Sequence, residues 1–405
     1  MYNFLNIVFA GEVDSGKSTL LGRLLYDTDS VSIQAKEELK KVCDGLGRQV
    51  MEYAYLLDSF QEERAEEFTL DTTQAFVRAK GKEFLLIDVP GHKELLKNML
   101  TGASCADAAV LVIDASRSVE EQTKRHLFIL KFLGIEGVLV VVNKMDLAAY
   151  KEEAFLKIKS ECDGLAKTVG IKANGIIPVS AREGENLLKG SPKMAWHRGP
   201  SLLEVLGAFK SEESAFSDLR FPVQDIYTAG KEPVVVGSIA SGSVGASDIL
   251  RAVPSGVELK VKAIRVLSGN RRSASAPEAV GLLFQRLPKE IKRGEILYKG
   301  AVPPVSSQIR AKIFCLKPFA EGDPGLILSC STQEVPASLD SIVSRMDTSS
   351  LETRYGGECL AACDAAEVIL RTGAPVVAEK YLSLPSLGRF ILLKDAQPVA
   401  IGFAC

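Results

Sequence analysis

A glycine-rich run near the start of the chain constrains its fold more than any other feature. The sequence GEVDSGKS at residues 11–18 lies between an apolar stretch at 4–10 and a leucine-rich stretch at 19–25. Strand, glycine turn and helix in this order form the setting of a phosphate-binding loop. Glycine lets the backbone N–H groups turn inward, and the start of the helix adds a positive end. The run therefore predicts a P-loop in an α/β domain.

Side chains of this run have separate predicted roles around a nucleoside triphosphate. Lys17 is expected to reach the β- and γ-phosphates, and the Ser18 hydroxyl is expected to bind Mg²⁺. The remaining predicted nucleotide contacts of this part of the chain are Gly11, Asp14, Ser15, Gly16 and Thr19. The run by itself does not distinguish ATP from GTP.

A second group of residues is predicted to read the base. These residues directly follow two buried-looking strands: Asn143, Lys144 and Asp146 follow 138–142, and Ser180 and Ala181 follow 176–179. Open α/β sheets bind ligands where parallel strands end. The Asp146 carboxylate can accept two hydrogen bonds from guanine, and adenine cannot offer that pair. The spacing therefore favours GTP.

Each of the other base-reading residues has a predicted task. Asn143 is expected to tie the loops together, and the Lys144 stem to cover the face of the base. The Ala181 N–H is expected to meet the guanine carbonyl oxygen. Ser180 belongs to the same loop.

Two further segments are predicted to sense the γ-phosphate. Asp88 ends the apolar stretch 84–87 and is expected to contact Mg²⁺ through water, while the Gly91 N–H faces the γ-phosphate. Thr69 is a candidate ligand of both Mg²⁺ and the γ-phosphate. His92 is a candidate for orienting the attacking water. Loss of the γ-phosphate would release both segments, as in other order–disorder switches.

The composition of the chain agrees with a cytoplasmic enzyme. A length of 405 residues implies two or three domains, and a net charge of −2 without a basic stripe argues against a nucleic-acid partner. Because the first predicted strand begins at once, no secretory signal is expected, and no apolar run reaches membrane-spanning length. The eight cysteines are scattered. Only Cys359 and Cys363 are close in the sequence, and both are expected to be free, buried thiols.

The pattern of the chain changes near residue 210. Before it, apolar strands alternate with helical patterns, which predicts a parallel α/β domain over 1–210. A polar segment at 210–219 suits a linker. Short predicted strands separated by turns then follow, at 234–240, 258–266, 294–297, 309–316 and 326–330. Such spacing is typical of small antiparallel barrels.

Together these motifs resemble the translation-factor superfamily of GTPases. The long insert between Lys17 and Thr69, with two charged helices predicted near 33–42 and 51–66, resembles the elongation-factor-1-alpha type and its relative, the GTPase subunit of sulfate adenylyltransferase. Further matching segments are 101–104, 122–126, 194–196 and 199–204. The segments 344–347, 351–352 and 388–395 look more like the sulfate adenylyltransferase subunit than like a tRNA carrier.

This resemblance implies a P-loop GTPase domain followed by two small antiparallel β-barrels, at 218–303 and 304–405. It also implies GTP and Mg²⁺ as cofactors, and a separate small catalytic adenylyltransferase subunit as partner. GTP hydrolysis by this chain would then drive the joining of AMP to sulfate by that partner. No cluster of His, Cys or carboxylate residues after residue 210 suggests chemistry in the barrels.

Two alternatives remain open at the level of sequence. One is an elongation-factor-like GTPase that carries aminoacyl-tRNA, and the other is a regulatory GTPase with an unrecognised protein client. Glu67 and Phe68, which stand where the family usually has glycine and isoleucine, and Val89, which replaces a common threonine, bear on switching and partner choice. They leave the predicted nucleotide contacts unchanged.

Overall fold

The structure of the 405-residue chain is a computed structural model. It describes residues 4–45, 52–57, 73–79, 81–89, 106–117, 119, 121–135, 137–209, 217–229, 232–266, 269–348 and 352–405. The chain forms two compact units, Met1–Glu212 and Glu213–Cys405, and each is described by itself.

The first unit is built around a six-stranded sheet. Its strands are β1 (Phe4–Gly11), β2 (Thr73–Ala79), β3 (Lys82–Asp88), β4 (Ala108–Asp114), β5 (Gly137–Asn143) and β6 (Ala173–Pro178). The order across the sheet is β2-β3-β1-β4-β5-β6. β2 runs antiparallel to β3, and the other neighbours are parallel. The carboxyl ends of β1, β3, β4, β5 and β6 therefore lie along one edge.

Helices of the first unit join these strands. They are α1 (Lys17–Asp27), α2 (Ile33–Gly45), α3 (Glu121–Phe132), α4 (Glu152–Val169) and α5 (Leu202–Ala208), with a short 3-10 helix at Pro192–Met194. The four leucines of α1 are almost completely buried against the sheet, as their spacing predicts. A capping box formed by Ser201 and Glu204 starts α5.

Central strands of this sheet are apolar on both faces. Every residue of β4 is buried, and six of the seven residues of β5 are buried. Parallel strands covered by helices on both sides show this continuous apolar pattern rather than alternation. The predicted strands 4–10, 84–87, 138–142 and 176–179 all overlap strands of this sheet.

The second unit contains two larger antiparallel sheets. Strands of the first are β7 (Leu219–Pro222), β8 (Asp225–Ala229), β9 (Glu232–Ser238), β11 (Ile249–Val253), β12 (Glu258–Val266), β13 (Gly269–Arg271), β15 (Ala279–Phe284) and β16 (Ile296–Lys299). Their order is β7-β16-β11-β12-β15-β9-β8, with β13 beside β12. A separate two-stranded sheet joins β10 (Ser243–Gly245) and β14 (Ser273–Ser275).

The second antiparallel sheet closes on itself. Its strands are β17 (Val305–Cys315), β19 (Leu326–Cys330), β20 (Gln333–Asp347), β21 (Thr353–Tyr355), β23 (Asp364–Val377), β24 (Arg389–Lys394) and β25 (Gln397–Ala404). The order is β19-β24-β25-β17-β23-β20-β21, and β19 also pairs with β20. Six strands therefore form a closed barrel. The short strands β18 (Phe319–Ala320) and β22 (Cys359–Leu360) pair beside it, and α6 (Pro385–Gly388) precedes β24.

The two large sheets of the second unit share an apolar cluster and a buried ion pair. Val253, Ile296 and Tyr298 from the first sheet pack with Val377, Leu384 and Leu387 from the segment around the second. Arg220 of β7 donates from Nε to Glu379 Oε1 at 2.8 Å. Only 1% of the Arg220 side chain and 9% of the Glu379 side chain are exposed.

The predicted fold class, an α/β GTPase domain followed by antiparallel barrels, is confirmed. All five strands predicted beyond residue 210 overlap strands of the second unit. Gly294 has a φ of 95°, so β16 begins after it rather than at it. The domain limits 1–210, 218–303 and 304–405 stay predictions. Most of the predicted linker and of the second predicted insert helix lies outside the described residues.

One prediction about the cysteines is wrong. Cys359 is a free thiol as expected, but it is exposed, and Cys363 is half-buried. The reason is alternation along β22: Leu360 takes the buried position, and its neighbour Cys359 faces outward. Burial raises the pKa of the Cys162 and Cys330 thiols to about 12. Among the described helices, none is long and apolar enough to cross a membrane.

Candidate functional site

The predicted P-loop lies between β1 and α1. Asp14 and Gly16 adopt left-handed backbone conformations, with φ of 62° and 86°, and Gly11 has a φ of 149°. A Cβ on Gly11 would lie 2.3 Å from the Val112 carbonyl oxygen, and a Cβ on Gly16 would lie 2.4 Å from Asn143 Nδ2. Both distances are far below van der Waals contact. The two ends of the loop therefore require glycine.

Lys17 is held inside this loop. Its side chain is buried, and Nζ donates to the carbonyl oxygens of Gly11 at 2.8 Å and Glu12 at 2.7 Å. Burial lowers the pKa of Lys17 below its ordinary value, and the nearby Asp88, Glu12 and Asp14 carboxylates oppose that shift. The ammonium group is thus surrounded by oxygen atoms at the position where the motif predicts phosphate oxygens.

Ser18 and Asp88 form an oxygen-donor pair beside the P-loop. Ser18 Oγ, in the first turn of α1, donates to Asp88 Oδ2 at 2.8 Å. Asp88 ends β3, in register with Phe9 of the neighbouring β1. Thr19 follows in the same turn of α1. A hydroxyl and a carboxylate are the kinds of ligand that Mg²⁺ prefers, so this pair fits such an ion. Thr69, Gly91 and His92 lie outside the described residues.

Asn143 connects the P-loop with the loop after β6. It ends β5 and is 1% exposed. Nδ2 donates to the Ser15 carbonyl oxygen at 2.9 Å, and Oδ1 accepts from the Ala181 N–H at 3.0 Å. One buried amide therefore fixes the spacing between the predicted phosphate and base subsites.

Asp146 lies beside Ser180 at the same edge of the sheet. Ser180 is fully buried, and its Oγ donates to Asp146 Oδ1 at 2.6 Å. Asp146 is half-buried in a loop that begins at Lys144, whose φ is 62°. The structure thus brings together the residues of the two predicted base-reading segments. Their contact with guanine stays a prediction.

Sequence reasoning missed Asp114, which ends β4. Its Oδ2 lies 2.8 Å from Lys144 Nζ, and its Oδ1 accepts hydrogen bonds from the N–H and hydroxyl of Ser116. Burial opposes ionisation, but the Lys144 and Ser116 hydrogen bonds outweigh it, so the pKa of Asp114 is below its usual value. Asp114 pairs in register with Asn143, and a carboxylate ending a buried parallel strand was the signal available in the sequence.

Glu12, inside the P-loop run, was also missed. Its Oε1 accepts from Thr123 Oγ1 at 2.8 Å, which joins the P-loop to α3. His126, in the same helix as Thr123, has a buried ring. Burial, helped by the charge of Lys17, lowers the pKa of His126 to about 3. Its burial fits a structural role in α3.

Comparison with known proteins matches most of the chain. The family described as Elongation factor Tu GTP binding domain matches residues 2–240, more than half of the chain, and GTP-eEF1A C-terminal domain-like matches residues 308–404. The chain belongs to the elongation factor Tu/elongation factor 1-alpha family of GTPases. As a family member it is expected to bind GTP and to hydrolyse it.

Relatives in this family are similar over almost the whole chain. Elongation factor 1-alpha of Pyrococcus furiosus is 33% identical over 98% of this chain and 96% of its own length. The protein of the same name from Pyrobaculum calidifontis is 35% identical over 98% of this chain and 93% of its own. A crystal structure of sup35 complexed with GDP covers 100% of this chain and 94% of that chain, at 22% identity and a TM-score of 0.45. A structural likeness at that level carries no weight for function.

Proposed function

We propose that this protein is an elongation-factor-like carrier, which binds aminoacyl-tRNA in its GTP state and releases it after hydrolysis. The similarity of 33–35% identity over 98% of the chain to proteins named Elongation factor 1-alpha supports this cargo most strongly. The sequence favoured the GTPase subunit of sulfate adenylyltransferase. The relatives instead favour its alternative, the elongation-factor-like carrier of aminoacyl-tRNA.

The proposed selection of guanine is assigned to the loops at the ends of β5 and β6. Asp146, oriented by Ser180, would accept the ring N–H and exocyclic amine of guanine. Adenine would leave this carboxylate without those donors, which is a costly mismatch. Ala181, already fixed through Asn143, would present its loop to the guanine carbonyl oxygen. Lys144, paired with Asp114, would cover the face of the base.

In this proposal, the P-loop and the two segments that contain Thr69 and His92 contact the γ-phosphate. Lys17 would exchange its two carbonyl contacts for phosphate oxygens. Ser18, Asp88 and Thr69 are the proposed Mg²⁺ ligands, and the close Ser18–Asp88 pair supports that role. When bound, Mg²⁺ neutralises charge that develops on the phosphates. His92 would orient the attacking water.

A second function, that of GTPase subunit of a sulfate adenylyltransferase, rests on specific segments of the second unit. Residues 344–347 at the end of β20, and 388–395 around β24, resemble that family in sequence. A net charge of −2 also suits a protein partner better than RNA. Here the barrels would hold a small catalytic adenylyltransferase subunit, and GTP hydrolysis would release it. Both functions belong to the cytoplasm.

A retention assay separates the two functions. The purified chain is loaded with GDP or a non-hydrolysable GTP analogue and incubated with aminoacyl-tRNA or with a purified small adenylyltransferase subunit. Retention of aminoacyl-tRNA by the GTP form alone supports the carrier. Retention of the adenylyltransferase subunit without tRNA overturns it in favour of the second function. Retention of neither ligand rejects both.

A further inference from the structure

A short segment after β6 contacts both loops that carry the predicted base-reading residues. Residues 191–197, called the brace segment below, contain the 3-10 helix Pro192–Met194 and Trp196, the only tryptophan of the chain. Met194 is almost completely buried, which anchors the segment in the first unit. Nucleotide binding as described above gives these residues no task.

The brace segment contacts the loop after β5 through Tyr150. Trp196 Nε1 donates to the Tyr150 carbonyl oxygen at 2.9 Å, and Lys193 Nζ lies 5.1 Å from the centre of the Tyr150 ring. The Tyr150 N–H in turn donates to the Met145 carbonyl oxygen at 2.8 Å, which closes the loop. Asp146, the predicted guanine ligand, lies within this closed loop.

The backbone of this loop is left-handed at three residues that carry a Cβ. Lys144, Ala149 and Tyr150 have φ of 62°, 49° and 57°. Left-handed conformations are unfavourable for residues with a Cβ and persist where surrounding contacts determine them. The indole N–H bonded to the Tyr150 carbonyl is such a contact. It therefore acts on the position of Asp146 through the backbone.

The same segment contacts the loop after β6 through Glu185. Ser191 Oγ donates to Glu185 Oε2 at 2.5 Å, and Lys193 Nζ lies 3.0 Å from Glu185 Oε1. Glu185 forms two backbone hydrogen bonds with Ser180, whose hydroxyl donates to Asp146. The brace segment thus reaches Asp146 by two independent routes.

Trp196 makes a ring contact in addition to its hydrogen bond. The indole lies 5.3 Å, centre to centre, from the ring of Phe155 in α4. Trp196→Phe would keep an aromatic ring against Phe155 and would remove the N–H donor together with one of the two indole rings. The variant therefore removes the hydrogen bond while it keeps an aromatic contact with Phe155.

We infer that the brace segment positions the guanine-reading loops, and that Trp196 is the positioning residue through which it holds Asp146 in place. The inference rests on the proposed recognition of guanine by Asp146. Guanine and hypoxanthine differ only by the exocyclic amine, which is one of the two groups that Asp146 is proposed to accept. A misplaced Asp146 would therefore cost GDP more than IDP.

Affinities for GDP and IDP, measured by calorimetry on the full chain, test this role. Trp196→Phe should weaken GDP binding about five-fold, as expected if the displaced Asp146 loses about one hydrogen bond to guanine, and should weaken IDP binding less. The preference for GDP over IDP therefore falls, while the thermal midpoint of the first unit changes little. Arg198→Ala, at an exposed position next to the brace segment, is the matched control and should keep the wild-type preference.

The results separate a failure of the role of Trp196 from a failure of guanine recognition by Asp146. A Trp196→Phe protein that keeps the wild-type preference for GDP over IDP overturns the role of Trp196 alone. A wild-type chain without any such preference overturns guanine recognition by Asp146 and this inference with it. If Trp196→Phe does not fold, Lys193→Met, at a position with a 47% exposed side chain, removes the Lys193 contacts of the brace segment with Glu185 and the Tyr150 ring. It should also lower the preference for GDP over IDP, and an unchanged preference overturns the role of the brace segment.

Discussion

At the scale of single residues, Asn143 connects the two loops of the predicted nucleotide site. Its amide donates to the phosphate loop and accepts from the base loop, and it is almost completely buried. The sequence predicted this linking role because asparagine offers a donor and an acceptor on one short side chain. It could not predict the Lys144–Asp114 pair, since that contact depends on the register of β4 against β5.

Replacement of Asp146 by asparagine should change the base preference. The amide donates where the carboxylate accepted, so Asp146→Asn should favour xanthosine triphosphate over GTP. GTP affinity should fall about 100-fold, which corresponds to about 3 kcal/mol from hydrogen bonds to a charged group. Competition binding with GTP, xanthosine triphosphate and ATP measures the change. An unaltered preference for GTP would show that Asp146 does not read the base.

Replacement of His92 by alanine should separate binding from hydrolysis. His92 is proposed to orient water and makes no predicted contact with the base or the phosphates. His92→Ala should therefore keep the GTP dissociation constant within a factor of about two and slow hydrolysis about 100-fold, the usual size of such contributions. Single-turnover hydrolysis is the measurement, in the presence of whichever ligand the retention assay identifies, aminoacyl-tRNA or the adenylyltransferase subunit. Normal turnover in this variant would contradict the assignment.

At the scale of elements, the start of α1 shows why the P-loop tolerates so little change. Gly16 is the N-cap, it is left-handed, and no side chain caps the helix. The first-turn N–H groups of α1 are thus available to phosphate oxygens. Regular strands and α1 were predictable from periodicity. The three-residue strands β10, β13 and β14 were not, because such short segments carry no period and are defined by their partners.

Two glycine substitutions test this description of α1. Gly16→Ala forces a Cβ to within 2.4 Å of Asn143 Nδ2 at a positive φ, so it should destabilise the first unit by about 1 to 2 kcal/mol and abolish GTP binding. Gly164→Ala, at an exposed position of α4 with open space around the new Cβ, should stabilise it by about 0.5 to 1 kcal/mol.

Urea unfolding and nucleotide titration of both variants check this pair of expectations. Equal stability of the two variants would show that neither the close contact with Asn143 nor the left-handed backbone at residue 16 penalises a Cβ there.

At the scale of the whole molecule, the two units differ in architecture and in predicted role. The first holds the predicted nucleotide site, and the second combines a closed six-stranded barrel with a second antiparallel sheet. Within the second unit, the Arg220–Glu379 pair and the cluster around Tyr298 join the two sheets. The sequence predicted the barrels from turn spacing. It gave no sign of this ion pair, because its partners are far apart in the chain and resemble ordinary surface charges.

The Arg220–Glu379 pair yields a prediction about the second unit. Arg220→Met would leave a buried carboxylate without its cation, so it should destabilise this unit by about 3 kcal/mol. Arg220→Met combined with Glu379→Met should cost less than Arg220→Met alone, since no charge remains buried. Hydrogen exchange of the β7 and β23 amides in the full chain measures both. A double variant at least as unstable as the single one would contradict this electrostatic account.

Trp196 also provides intrinsic fluorescence that depends on the loop around Asp146. Indole emission responds to its local polarity, and the whole signal of this chain comes from one side chain whose N–H is bonded to the loop around Asp146. Arrival of a guanine nucleotide should therefore change the ultraviolet fluorescence of unlabelled protein, so that exchange of GDP for GTP can be followed in real time without a dye.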